Sequence, residues 1–165
     1  MSVDVAEFDH RSLRAALGRF ATGVTIITCC DAAGEAVGLT ANSFSALSLN
    51  PPLVLWSLRQ SSPSLPSFRI ARYFIVNVLA ETQVELSRRF AESMPDKFSD
   101  GHWSDGVGGA PVLTGCAAVF ECESLSHQDA GDHVLFIGRV LRIADPGGAP
   151  LLFQGGHYRM LGEVL

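Results

Sequence analysis

Hydrophobic positions in this chain fall mostly into short extended runs separated by turn residues, with helical spacing in only a few places. Leu13, Leu17 and Phe20 share one stripe of a helix predicted over residues 8–20, with Asp9 as its cap and Gly23 helping to end it. Residues 24–30 (VTIITCC) are β-branched and read as a strand, 31–35 (DAAGE) as a turn, and 37–41 as a second extended stretch. After Pro51-Pro52, residues 53–58 (LVLWSL) are apolar on both faces, which predicts a central strand. A polar loop at 61–66 leads into a short helix near 66–71, and 73–79 (YFIVNVL) is a fourth strand. Thr82 and Glu85 have the spacing of a capping box, opening a helix that runs to about residue 91. Residues 93–110 form a long loop rich in Gly, Asp and Ser, a kind that usually carries function or moves. Two more strands are predicted at 117–125 and 134–144, and a last hairpin from 151–153 and 157–161. Six or seven strands with two or three helices, lacking β-α-β alternation, predict a mainly β fold: an antiparallel barrel with flanking helices.

Composition narrows the function classes. The 165 residues suit one domain spanning 1–165, and 47% hydrophobic against 18% charged residues is the balance of a folded core. A net charge of −5 argues against a nucleic-acid surface, which needs a concentrated basic face. It leaves open a nucleotide held in a pocket by backbone amides. The N-terminal MSVDVAEFDHRSLR lacks the apolar core of a signal peptide, and no run is long enough to span a bilayer, so a cytoplasmic location is expected. Cys29, Cys30, Cys116 and Cys122 form no C-x-x-C pair, and the adjacent Cys29 and Cys30 would point to opposite faces of a strand. Buried thiols are expected, not a metal site or a disulfide framework. No G-x-G-x-x-G follows a strand, and neither a P-loop nor a G-x-S-x-G elbow is present. The GVGG at 106–109 reads as a flexible connection, and His127, Asp132 and His133 match no familiar metal spacing.

Four segments carry candidate chemistry. In GLTANSFSALSL (38–49), small and hydroxyl residues interrupt a strand; Thr40, Asn42 and Ser43 offer donors and acceptors, while Ala41 would let a flat ring approach the backbone. The ordinary alternative is an edge strand with solvated polar residues. In WSLRQSSPS (56–64), Ser61, Ser62 and Ser64 precede a helix start, where free amides and hydroxyls suit an anion; plain serine capping is the alternative. In SRRFA (87–91), with Lys97 beyond, Arg88 and Arg89 could meet a phosphate or a ring edge, or serve only the helix dipole. The fourth pairs Gly131-Asp132-His133, opening a strand, with GGHYR at 155–159.

Read in order, RFATGVTIIT, GLTANSFSALSLNPPLVLWSL, FIVNVLAETQVELSRRFA, DKF, GDHVLFIGRV and PLLFQGGHYRML resemble the short-chain flavin reductases of two-component monooxygenases, and the likeness runs from Leu13 to Met160. The resemblance implies an FMN-binding split barrel that forms a homodimer, with flavin near the subunit interface. It also implies hydride transfer from NAD(P)H to FMN or FAD, and delivery of reduced flavin to a partner monooxygenase. It places Thr40, Ala41, Asn42 and Ser43 along the isoalloxazine, and Trp56, Ser57 and Leu58 beside the ring or ribityl chain. Ser62 and Ser64 would take phosphate, and Arg89, Phe90 and Lys97 would form a second flavin-contacting region. His133 would attend NADH, and Tyr158 would stand near the flavin and nicotinamide. Because the cofactor carries the hard chemistry, no acid or base residue is required. Without an obvious arginine pair for a 2′-phosphate, NADH is favoured over NADPH, although Arg159 could serve; FMN, FAD and riboflavin share the ring and are not ranked. The alternatives are a flavin-binding electron carrier or sensor on the same fold, a relative that oxidises pyridoxamine phosphate, and a barrel module without cofactor.

Overall fold

The computed structural model describes residues 9–165; the predicted helix start at Phe8 lies outside them. Helix α1 (His10–Leu17) is capped as expected, with the Asp9 carboxylate accepting from the backbone N–H groups of Arg11 and Ser12 at 3.2 Å. It ends at Gly18, before the expected Gly23. Its apolar stripe is not buried within the protomer: Leu17 is 66% and Phe20 79% exposed. The strands that follow are β1 (Thr22–Gly23), β2 (Thr25–Cys30), β3 (Ala36–Ala41), β4 (Ser45–Leu49) and β5 (Pro52–Arg59). Helix α2 (Leu65–Ile70), strand β6 (Tyr73–Val78) and helix α3 (Val84–Ala91) come next. The chain ends through β7 (Trp103–Asp105), β8 (Pro111–Leu113), β9 (Ala118–Ala130), β10 (His133–Ala144), β11 (Leu152–Gln154) and β12 (His157–Arg159).

Seven strands form one antiparallel sheet in the order β3-β2-β6-β9-β10-β5-β4. Strands β3 and β4 are its opposite edges, yet only residues 42–44 join them. Laid flat, those edges would stand roughly 29 Å apart at about 4.8 Å per strand, whereas so short a link reaches about 14 Å. The sheet must therefore curl until its edges meet. At the meeting point the Ser43 hydroxyl donates to the Ser57 carbonyl and accepts from the Ser57 N–H, both at 2.9 Å.

Curling divides the apolar residues between two cores. The inner one holds Ile27, Val54, Trp56, Phe68, Phe74, Val76, Val134 and Phe136. The outer one, under α3 and the C-terminal hairpin, holds Val24, Ile26, Ile75, Leu79, Phe90, Leu113 and Leu151. Adjacent residues Ile26 and Ile27, or Ile75 and Val76, go to opposite cores, as strand alternation requires. The strands covered on both faces are thus β2 and β6. Strand β5, expected to be central, lies next to the edge, with Leu53, Leu55 and Ser57 only half-buried on its outer face.

Three further expectations change. The expected Thr82–Glu85 capping box is replaced by a 3₁₀ turn (Glu81–Gln83), where Gln83 Oε1 accepts from the Ala80 N–H and the Gln83 N–H donates to the Ala80 carbonyl, both at 2.9 Å. Glu85 pairs instead with Arg88. The long loop is largely structured, because Phe98 and Trp103 pack on Phe90 with ring centroids 5.0 and 5.4 Å away. The GVGG segment is a packed turn and not a loose connection. The Val107 N–H donates to Glu121 Oε2 at 2.6 Å, and a Cβ on Gly108, which has φ +63°, would lie 2.4 Å from the Tyr73 ring. Among the described residues no helix is long and apolar enough to cross a membrane.

Candidate functional site

Where the edges meet, the surface opens into a cleft of about 1150 Å³. Its walls are β3 with the following Asn42 and Ser43, the end of β5 with Ser61, Ser62, Pro63 and Ser64, the end of α3 with residues 92–99, and His133 at the start of β10. This lies just above the ~300–1,000 Å³ of ordinary small-molecule clefts, and the groove is open to solvent along one side.

Thr40, Ala41, Asn42, Ser43, Ser57, Leu58, Ser62, Ser64, Phe90, Lys97 and His133, singled out from sequence, all line this cleft. Their side chains are not all available. The Thr40 hydroxyl donates to the Ser87 carbonyl at 2.6 Å, tying β3 to α3, and the Ser43 hydroxyl closes the sheet. Of that segment's polar side chains, exposed Asn42 is the one without a protein hydrogen bond among the described contacts. Ser64 stands at the N-cap of α2 without making a capping bond, while the Ser62 hydroxyl accepts weakly from the Ser64 N–H at 3.3 Å.

Three of the sequence candidates lie elsewhere. Trp56 is fully buried in the inner core, stacked on Phe136 at 4.7 Å and edge-on to Phe68 at 4.9 Å. Its indole N–H is buried without a hydrogen-bond partner among the described residues. Tyr158 belongs to the outer core: its ring meets Phe153 at 5.5 Å and its hydroxyl is 2.8 Å from Ser87 Oγ. Arg89 is turned to the protein, bonding the 96–100 segment instead of facing the cleft.

The cleft's electrostatics come from few groups. Lys97 Nζ donates to the carbonyls of Gly38 (3.4 Å) and Phe90 (3.3 Å), and burial lowers its pKa from the ordinary lysine value. Among the described residues it has no carboxylate partner within ion-pair distance. His133 Nδ1 lies 2.7 Å from Asp132 Oδ1, and this hydrogen bond holds the Asp132 carboxyl below its usual range. The turn carrying them is fastened to the end of β5, since the Gln60 N–H donates to the Asp132 carbonyl at 2.9 Å and Gln60 Nε2 to the Gly131 carbonyl at 3.2 Å. The thiols stand apart from this chemistry: burial pushes Cys29, Cys116 and Cys122 up to about 12.

Sequence reasoning missed the first half of β3, Arg59, Met94 and Ser99 as cleft-lining positions. One signal was available at Gly38. A Cβ there would meet Phe90 at 2.9 Å and Phe98 at 3.0 Å, so glycine in this strand marks the close approach of α3 and its following turn.

A wall of backbone and small hydroxyl residues, with the Lys97 ammonium, the Arg59 guanidinium and a rim imidazole, suits a flat ligand with an anionic part, while Glu35, Glu92 and Asp96 add carboxylates to the lining. Known proteins similar to this chain agree with that picture. The family profile described as "Flavin reductase like domain" matches residues 17–162. A Rhizobium meliloti (strain 1021) protein named "Probable flavin reductase" is 46% identical over 161 residues, covering 96% of this chain and 52% of its own. "FMN reductase (NADH) SmoA" of Agrobacterium fabrum is 45% identical over 150 residues, covering 91% of this chain and 85% of its own. Reductase subunits of flavin-dependent monooxygenases are also among the relatives. The structure of Streptomyces globisporus NADH:FAD oxidoreductase SgcE6 with NAD and FAD fragments superposes with a TM-score of 0.88 at 35% identity, covering 95% of this chain and 98% of that one. The chain thus spans about half the length of some relatives and nearly all of others. It belongs to the flavin reductase-like domain family.

Proposed function

We propose that this chain, acting as one domain over 1–165, is an NADH:flavin oxidoreductase that reduces FMN or FAD and supplies the reduced flavin to a partner monooxygenase. The observation that carries the reading is the cleft itself. It is open along one side, with backbone and small side chains where a flat ring would lie, and polar groups at its ends. When bound, the flavin supplies the chemistry, accepting a hydride from NADH at its ring.

The protein's part is positioning and electrostatics. The main chain of residues 40–43 and 57–58 forms the wall along the ring, held at one spacing by the Ser43–Ser57 hydrogen bonds. Ser62 and Ser64 hold phosphate where α2 begins. Lys97 offers positive charge to the ligand's anionic part, and His133, braced by Asp132, orients the nicotinamide nucleotide at the rim. Aligning two reactants in this way can supply much of the rate. The relatives named for NADH, FMN reductase (NADH) SmoA and NADH:FAD oxidoreductase SgcE6, favour NADH over NADPH.

The fold is read as an FMN-binding split barrel that works as a homodimer. The exposed apolar stripe carried by Leu17 (66%) and Phe20 (79%) supports the second copy, because contiguous apolar surface of this kind is what an interface covers.

The test is steady-state loss of NADH absorbance with FMN, FAD and riboflavin. Oxidation is expected to depend on flavin and to be slower with NADPH. A protein that binds flavin yet leaves NADH intact would be an electron carrier or sensor instead.

A further inference from the structure

Arg89 was expected to touch ligand, yet it is held within the protein by the 96–100 segment. Its Nε donates to the Lys97 carbonyl at 2.9 Å, and its Nη2 to the Asp96 carbonyl at 2.6 Å and to Ser99 Oγ at 2.7 Å. Its Nη1 pairs with Asp100 Oδ2 at 2.9 Å. One guanidinium thus engages four of the five positions of that segment, all but Phe98. Only a planar, forked donor can do this; a lysine ammonium would keep the charge and lose the fork. The clamped turn includes Asp96 at φ 57°, a left-handed conformation uncommon outside glycine, so the backbone needs outside support there. Asp96, Lys97, Phe98 and Ser99 of the clamped turn all line the cleft, and two of them are fixed by contacts with its wall. Phe98 packs on Phe90, and Lys97 Nζ lies against the Gly38 and Phe90 carbonyls. An ammonium has three donors, so two carbonyl contacts leave one for a ligand.

We infer that Arg89 is a positioning residue: by clamping the 96–100 turn it sets the Lys97 ammonium in the cleft wall, and through Lys97 it tunes affinity for the anionic part of the flavin. This rests on the cleft being the flavin site, as proposed above. The anionic part has two sources, the phosphate of a flavin nucleotide and the charge that the ring acquires on reduction, and the measurements below separate them.

Equilibrium dissociation constants for FMN and riboflavin are measured by flavin fluorescence on the full chain and its Arg89→Lys, Arg89→Ala, Lys97→Met and Arg89→Lys/Lys97→Met variants, each with its melting temperature. Lys97→Met is expected to weaken FMN binding by about ten-fold, the effect of losing one charge-assisted hydrogen bond. Arg89→Lys is expected to weaken it to a similar extent although charge is kept, and the double variant no further than either single. If phosphate is the contact, riboflavin affinity is unchanged throughout. If the reduced ring is the contact, the loss appears instead with reduced FMN and reduced riboflavin alike. Wild-type FMN affinity, oxidised and reduced, in Arg89→Lys would overturn the inference, as would losses that add fully in the double variant. A lower melting temperature with unaltered affinity would likewise leave Arg89 a purely structural residue. Failure of the unsubstituted protein to bind any flavin would instead sink the functional proposal itself.

Discussion

At the scale of single residues, the sequence shows which side chains are polar but not what they already touch. Thr40 and Ser43 look like ligand donors in a linear reading, yet both hydroxyls bond the protein's own backbone and act by holding the wall in place. Trp56 sits in a segment that borders the cleft, but strand alternation turns its ring into the inner core. His133 is the clearer case, because its rim position and its Asp132 brace leave the other ring nitrogen for a ligand. His133→Ala is expected to raise the NADH KM by roughly ten-fold, the effect of a lost hydrogen bond to a charged group, with a smaller change in the flavin KM. Steady-state kinetics with each substrate varied checks this; unaltered NADH kinetics would remove His133 from the site.

At the scale of elements, β-branched runs and turn residues marked most strands of the sheet, because local propensity and burial agree there. The misses share one cause, since pairing and packing partners overrode the preference of the segment itself. Strand β4 (SALSL) has no β-branched residue and is held extended by the hairpin it forms with β5, where Leu49 stands opposite Pro52. The polar end of β9, SHQDA, is extended because β10 pairs with it as far as Ala130. The 93–110 loop is ordered by aromatic packing on Phe90, which no local signal foretells. Gly38 is where element packing and the cleft meet. Gly38→Ala would force a methyl against the buried Phe90 ring and the half-buried Phe98 ring, and overpacking of this kind costs about 1–3 kcal/mol. A lower melting temperature together with weaker flavin binding is expected; a variant as stable as its parent would mean the rings yield without disturbing the wall.

At the scale of the whole molecule, the fold class was legible because alternating strands without β-α-β order leave few other architectures. The strand order was not. It emerges from the short link between the two edge strands, which forces closure and creates the cleft at the seam. At the same scale, α1 is amphipathic yet buries none of its residues against the rest of the described chain. With a second copy covering Leu17 and Phe20, the protein is expected to sediment as a dimer, and Leu17→Asp/Phe20→Asp to sediment as a monomer with weakened flavin binding. A monomeric parent with full flavin affinity would contradict that assembly.

The account depends most on the seam cleft being the flavin site, and a crystal structure of the protein with FMN tests it most directly. The ring is expected along the main chain of residues 40–43 and 57–58, with its phosphate at Ser62 and Ser64. A flavin bound elsewhere, with the cleft left to solvent, would contradict it.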